Sequence, residues 1–286
     1  MNYAALIQNR KSTREFSYKY VSFEDMDKIK AYYNKSVRRL LPDVKTELRL
    51  FGLDARTVLE GAAGYKNFLV GSPQYMVLFS EKHPQAGLNA GFIMEDLILK
   101  LTEMGFDTCW LTFTDSDYVK AALEIESELD VAAMVAFGYG VRTTKRLRLN
   151  FRSMSNLDVV AQRQYFRPKL SVDELVSLDS WGNRSGVEEH IGFYDNMLWE
   201  AFYAVTLAPS YLNRQPYGFL IHDGRITLVA KPDTYTGEID AALGLGIALH
   251  HFTTVASEWA GDIVWQFGQP LSGLPEGHKA VASCAV

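Results

Sequence analysis

The chain has 286 residues, is 48% hydrophobic and 22% charged, and carries a formal net charge of −5, which describes a globular protein with a sizeable core and argues against a wholesale nucleic-acid binder or a basic membrane-surface protein. Its two cysteines, Cys109 and Cys284, lie far apart and form no CxxC pair, arguing against a disulfide framework or a zinc site and for a reducing cytoplasm. No apolar run reaches the roughly 18 residues a membrane helix needs and no signal-peptide core opens the chain, so a cytoplasmic protein without membrane contact is expected.

The length suggests about two domains, and the element pattern divides the chain near residue 150. Residues 1–9 read as a short helix, and Ser22-Phe-Glu-Asp caps another with acidic residues in its first turn. QYMVLFS, from Gln74 to Ser80, reads as a buried strand. A long helix from about Ala86 to Met104 ends at Gly105, a short strand follows at Thr108-Cys-Trp-Leu, and VAAMVAFGY from Val131 is the next strand. A polar connector covers roughly 153–185. Then come a helix over about 192–207, a loop, and the sequence GFLIHDGRITLVA, in which Asp223-Gly224 is a two-residue turn between alternating strands. An apolar helix over 239–259 and a strand at 262–267 follow.

The two parts echo each other. Gly91 opens an apolar helical run, with Trp110 in the strand after it; Gly246 and Trp265 stand at the same separation in the same setting. Strand, long helix and strand in the same order on both sides point to an internal duplication.

Three segments carry candidate chemistry. NRKSTREF places Arg10, Lys11, Ser12 and Arg14 directly after the first helix. Forked cations, a hydroxyl and backbone N–H groups suit a phosphate monoester, although a solvated basic helix end has the same composition. RTTKRLRLNFR, from Arg142 to Arg152, is a second basic run that could converge on the same phosphate. APSYLNRQPYGF sets Ser210, Asn213 and Gln215 between Pro209 and Pro216. Such a polar loop with fixed ends serves as a connector more often than as a ligand contact.

Together, RKSTR after an N-terminal helix, NAGFIMEDLILKLTEMGFDTCWL, a strand ending FGYG before a basic tail, and APSYLNRQPYGF resemble the FMN-dependent nitroreductase family. The resemblance implies an α+β, nitroreductase-like fold. It would have two similar halves, each with a mostly antiparallel sheet flanked by helices, forming an internal pseudo-dimer. What departs is the order. Family members carry the Pro-Ser-x-x-Asn loop about thirty residues after the phosphate motif, where this chain has Leu41-Pro42-Asp43. The second half has only Asn183-Arg184-Ser185 upstream of its loop.

In the family two subunits share each flavin, one giving the phosphate motif and the other the loop. The chain therefore reads as such a dimer fused: residues 1–152 keep the phosphate motif and residues 153–286 keep the loop. One complete FMN site per chain and a monomeric state are expected. The resemblance implies that Arg10, Lys11 and Ser12 hold the phosphate and ribityl chain, with Arg14 nearer the flavin N1–O2 edge and Arg146 and Arg148 closing over the phosphate. Pro209, Ser210, Tyr211 and Asn213 would line the ring, Thr112 and Thr114 would lie near N5, and Tyr65 and Asn67 near the pyrimidine edge. NAD(P)H would deliver a hydride to the flavin and leave, and a small-molecule acceptor, a nitroaromatic or quinone, would enter in ping-pong order. The cofactor carries the chemistry and no side chain need act as a general acid. The alternatives are a non-catalytic flavin-binding or sensing protein, and a reductive dehalogenase or flavin-fragmenting relative.

Other candidates carry less. Gly244-Leu-Gly246 lacks the third glycine of a dinucleotide fingerprint and reads as close helix packing. His250 and His251 are adjacent on a helix and cannot share a metal, so a core or capping role is expected. Ser210 has none of the glycine spacing of a nucleophile elbow.

Overall fold

The computed structural model describes residues 1–66, 68–141, 146–153, 156–162, 170–193 and 196–285, with backbone alone over 146–153 and 156–162 and at 192, 193 and 196. The first part comprises α1 (Tyr3–Asn9), α2 (Phe23–Lys35), β1 (Thr46–Phe51), α3 (Asp54–Leu59), β2 (Gln74–Ser80), α4 (Ala86–Glu103), β3 (Asp107–Leu111), α5 (Ser116–Ala122) and β4 (Asp130–Gly138). A connecting stretch holds β5 (Arg146–Ser153), β6 (Asn156–Gln162), α6 (Val172–Leu175) and β7 (Val176–Leu178). The second part comprises α7 (Asn196–Thr206), β8 (Tyr217–His222), β9 (Arg225–Ala230), α8 (Glu238–Ala260), β10 (Gln266–Phe267) and β11 (Lys279–Ala285).

Local chemistry explains the clearest boundaries. Ser22 accepts a hydrogen bond from the Asp25 N–H and caps α2, while Asn2 does the same for α1 at Ala5. Asp223 and Gly224 both take positive φ, as a type I′ hairpin turn requires, and β8 and β9 pair antiparallel across them. β2 is buried along its whole length because both faces of its sheet are covered. Met76 and Leu78 face α4, whereas Tyr75, Val77 and Phe79 face the side of α3 and α5.

The duplication is visible in the sheets. The first runs β1-β2-β4-β3 and the second β10-β11-β9-β8-β7. With β8, β9, β10 and β11 matched to β1, β2, β3 and β4, the strand order is the same. All pairings among these strands are antiparallel in both sheets. Each sheet also inserts its long helix, α4 or α8, between its second and third strands. β7, from the connecting stretch, adds a fifth strand parallel to β8.

The long helices cross where their glycines meet. A Cβ on Gly91 would lie 2.3 Å from the Leu243 carbonyl oxygen, and one on Gly246 would lie 2.0 Å from that of Leu88. One sequence offset relates Gly91 to Gly246 and Leu88 to Leu243, so the contacts are reciprocal, as an approximate two-fold axis through the crossing requires. The same offset relates Glu95 to His250 and Asp96 to His251. Glu95 pairs with His251 and Asp96 with His250, so the operation exchanges the two carboxylate–histidine pairs. Every acid lies on the first half and every base on the second.

Several expectations need correcting. The basic run is mostly strand β5, which pairs with β6 inside the expected polar connector, and the connector also contains a sheet strand, β7. The expected 262–267 strand shortens to Gln266–Phe267, and α7 is preceded by a π-turn at Glu189–Phe193. β1, α3, α5 and β11 were not anticipated. α8 is long and apolar enough by length and composition to cross a membrane, contrary to the sequence expectation. It is nevertheless a core helix, with 72% of its apolar window buried inside the protein.

Candidate functional site

The residues after α1 run along the edge of β3. Ser12 bridges Thr108 in parallel, and the Thr13 N–H donates to the Thr108 carbonyl at 2.8 Å. Phe16 bridges Gly140 from the other side. Asp107 pins the segment: its carboxylate accepts from Thr13 Oγ1 at 3.2 Å and from the Gly140 N–H at 2.9 Å. Lys11 Nζ lies 3.5 Å from the same carboxylate, with a side chain 67% exposed. Ser12 and Arg14 are exposed as well. The Arg14 and Arg10 charges both act on Cys109 in β3, although burial dominates and raises that thiol.

Arg10 is different. Its side chain is only 7% exposed, and Nε lies 3.6 Å from Oε1 of the fully buried Glu95. That distance is too long for a hydrogen bond, and Nε has no hydrogen-bond partner among the described residues. Glu95 also accepts from Trp110 Nε1 at 3.1 Å and faces His251 Nε2 at 3.0 Å. Burial alone would raise the Glu95 carboxyl, but the His251 hydrogen bond and the Arg10 charge outweigh it and hold the group at about 2.

The second-half loop begins where α7 ends. Leu212, Asn213 and Gln215 adopt φ of 48°, 58° and 48°, a costly conformation for residues with side chains. The surroundings enforce it. Ser210 Oγ accepts from the Gln215 N–H at 2.9 Å, and the Gln215 amide donates to the Thr206 carbonyl at 3.0 Å and accepts from the Leu170 N–H at 3.2 Å. Arg214 makes a two-pronged contact with Asp233, at 3.2 and 3.0 Å, which holds the Asp233 carboxyl down at about 2. Of the two amide residues in the loop, Gln215 is thus structural.

The loop reaches first-half residues. The Tyr211 and Tyr65 rings lie 6.1 Å apart, tilted by 51°. Burial, followed by the neighbouring Tyr65 and Asp240, raises the Tyr211 hydroxyl. Asp240, in the first turn of α8, accepts from Thr112 Oγ1 at 2.7 Å; burial pushes its carboxyl up and the Thr112 hydroxyl opposes this. Gly244, one turn on, faces Ser210. Thr114 is exposed just before α5. Hence Tyr65, Thr112 and Tyr211 come together around Asp240, while Lys11, Ser12 and Arg14 lie at the other end of β3. Pro209, Ser210 and Asn213 shape the loop between α7 and the Tyr65 contact.

Asn67 lies outside the described residues. Arg146 and Arg148 are on β5, and their side chains also lie outside them. Sequence reasoning missed Glu95, His251 and Asp240 as parts of this region. The signal was present, since an acidic pair in α4 and a histidine pair in α8 interrupt otherwise apolar helices.

The family model described as "Putative TM nitroreductase" matches residues 2–175, more than half of the chain. The chain belongs to this nitroreductase family. The matched span includes the Arg10–Arg14 motif and stops before the Pro209 loop. This family member is similar along its whole length to a crystal structure of a "putative nitroreductase" from Thermotoga maritima MSB8. The identity is 22% and the TM-score 0.60, covering 100% of this chain and 94% of that one. A nitroreductase family protein from Clostridium novyi NT is 18% identical with a TM-score of 0.44, covering 50% of this chain and 87% of its own. An FMN-dependent nitroreductase from Clostridium difficile R20291 is 18% identical with a TM-score of 0.41, covering 48% and 87%. No curated protein matches.

Proposed function

We propose that this nitroreductase-family chain is an FMN-dependent oxidoreductase that takes a hydride from NAD(P)H and passes it to a nitroaromatic, quinone or similar acceptor in ping-pong order. The observation that carries the reading is the meeting of Tyr211, on the second-half Pro-Ser-x-x-Asn loop, with Tyr65 of the first half. Shared flavin sites of this family need a loop from one half over the residues of the other.

The residues present suit the cofactor. Extended chain from Thr108 to Thr112 spans roughly 13 Å at ~3.3 Å per residue, separating a cationic end from an aromatic and hydroxyl end. Such a layout matches a long ligand with a phosphate at one tip and a flat ring at the other. Arg10, whose buried Nε lacks an acceptor, together with Lys11 and Ser12 would hold the phosphate and the ribityl chain. Arg14 would place positive charge toward the ring. Pro209, Ser210, Tyr211 and Asn213 would bound the ring from the second half. Thr112 and Thr114 lie on the β3–α5 loop that would border its reactive edge, and Tyr65 would border the pyrimidine edge. When bound, the flavin supplies the hydride chemistry. The protein's part is to orient it, exclude water from one face and supply charge.

Absorption of the purified protein between 350 and 500 nm tests the reading directly. A flavin spectrum is expected, with FMN released on denaturation, the bound flavin bleached by NAD(P)H, and NAD(P)H turned over when a nitro or quinone acceptor is added. A protein that neither carries nor takes up FMN would overturn it.

A further inference from the structure

The carboxylate beneath Arg10 poses a problem of charge. A buried Glu95 would ordinarily claim the neighbouring guanidinium and leave it useless to a ligand. The geometry of His251 prevents this. His251 Nδ1 lies 2.8 Å from the Ala204 carbonyl oxygen, which can only accept, so Nδ1 bears a hydrogen. Nε2 then faces Glu95 Oε1 at 3.0 Å, a separation that two lone pairs cannot share. A proton must lie between them. Burial works against a charged imidazole here and the Glu95 carboxylate works for it, but the pair is neutral overall whichever atom holds the proton.

The related pair is built otherwise. Asp96 accepts from Tyr3 Oη at 2.9 Å, Tyr32 Oη at 2.8 Å, the Arg38 N–H at 3.0 Å and His250 Nε2 at 3.0 Å. His250 Nδ1 has no hydrogen-bond partner among the described residues, so a single ring proton satisfies that contact. The second proton is thus required only on the side of Arg10.

We propose that His251 and Glu95 are positioning residues for the phosphate grip: His251, from the second half, neutralises Glu95 so that Arg10, from the first half, keeps its charge for the flavin phosphate. This inference rests on the FMN reading above. Each half would then contribute to the phosphate end as well as to the ring end. The carboxylate keeps the guanidinium in place without consuming it.

The test is the preference for FMN over riboflavin, which differs only in lacking the phosphate, measured by titrating the flavin-free protein and following flavin fluorescence. The wild-type chain should prefer FMN. His251→Gln leaves Glu95 free to capture Arg10 and should cut that preference about tenfold or more, with riboflavin affinity little changed. Glu95→Gln keeps the pair neutral and should retain the preference. The double variant, Glu95→Gln with His251→Gln, should restore it, because no carboxylate remains to compete. A purely structural role predicts the opposite, a double variant no better than His251→Gln and both flavins weakened alike. Wild-type preference that survives His251→Gln, or a double variant that does not recover, overturns the inference alone. A wild-type chain indifferent to the phosphate overturns it together with the FMN reading.

Discussion

Gly246→Ala probes the crossing that joins the two halves. The new Cβ would sit 2.0 Å from the Leu88 carbonyl oxygen, 2.9 Å from its carbon and 3.0 Å from the Phe92 nitrogen. All three are backbone atoms of α4, so no side chain can swing away. Restoring ordinary contact means separating the helices by roughly 1 Å in a close-packed interior, against an overpacking cost of about 1–3 kcal/mol. Rigid backbone on both sides puts this case at the top of that range. Alanine returns only about 0.5–1 kcal/mol of helix propensity. The clash therefore wins by about 2 kcal/mol, and thermal unfolding should fall by roughly 4–8 °C. Gly91→Ala, 2.3 Å from the Leu243 oxygen, should behave alike, whereas Gly52→Ala, with nothing within 4 Å, should change little. Differential scanning calorimetry of the three variants is the assay. A Gly246→Ala protein as stable as the wild type would refute the reciprocal crossing.

Thr112→Val should leave the half-buried Asp240 without its hydroxyl donor and lower stability by about 1–3 kcal/mol, while adding Asp240→Asn should recover part of the loss in urea unfolding. The Arg214–Asp233 contact gives the loop a pH dependence. Because the folded Asp233 pKa is depressed to about 2 from 3.8, its contribution is complete above about pH 4 and disappears as pH falls toward 2. Protection against hydrogen exchange over residues 210–216, taken relative to the intrinsic rate at each pH, should fall across that window, and Asp233→Asn should remove the change. Burial pushes the Cys284 thiol up to about 12 and raises Cys109 too, so neither should react with a thiol reagent at pH 8 until the protein is unfolded. Rapid labelling of either cysteine in the native protein would contradict the packing described.

Much of the fold was legible because the signals were local. Ser22 with Glu24 and Asp25, Asp223-Gly224, and the apolar spans of β2, α4, β4 and α8 each carry their own chemistry. β1 and β11 were not read because one is half-buried with alternating charges and the other is short-chained and alanine-rich, so neither stands out without its partner strands. The duplication was visible in the Gly–Trp spacing, but its physical meaning needed the crossing, where Gly91 and Gly246 admit the opposite backbone. Within the candidate site, Tyr65, Thr112 and Tyr211 come together around Asp240. The acidic and histidine pairs stand out in their apolar helices, but the pairing of Glu95 with His251 depends on which two helices touch. Arg10, which the resemblance assigns to the phosphate, also borders a buried carboxylate. The sorting of acids to α4 and bases to α8 supports a fused rather than a self-pairing arrangement. Two first halves brought together in the same way would set Glu95 against Asp96 in the dry interior.

We propose that two diverged halves build one cofactor site between them, with cations from residues 10–14 and the loop from 209–213. Flavin stoichiometry tests it most directly, with the chain saturated with FMN, freed of excess, and its released flavin measured against protein mass. One FMN per chain is the predicted result, and two per chain would contradict the claim.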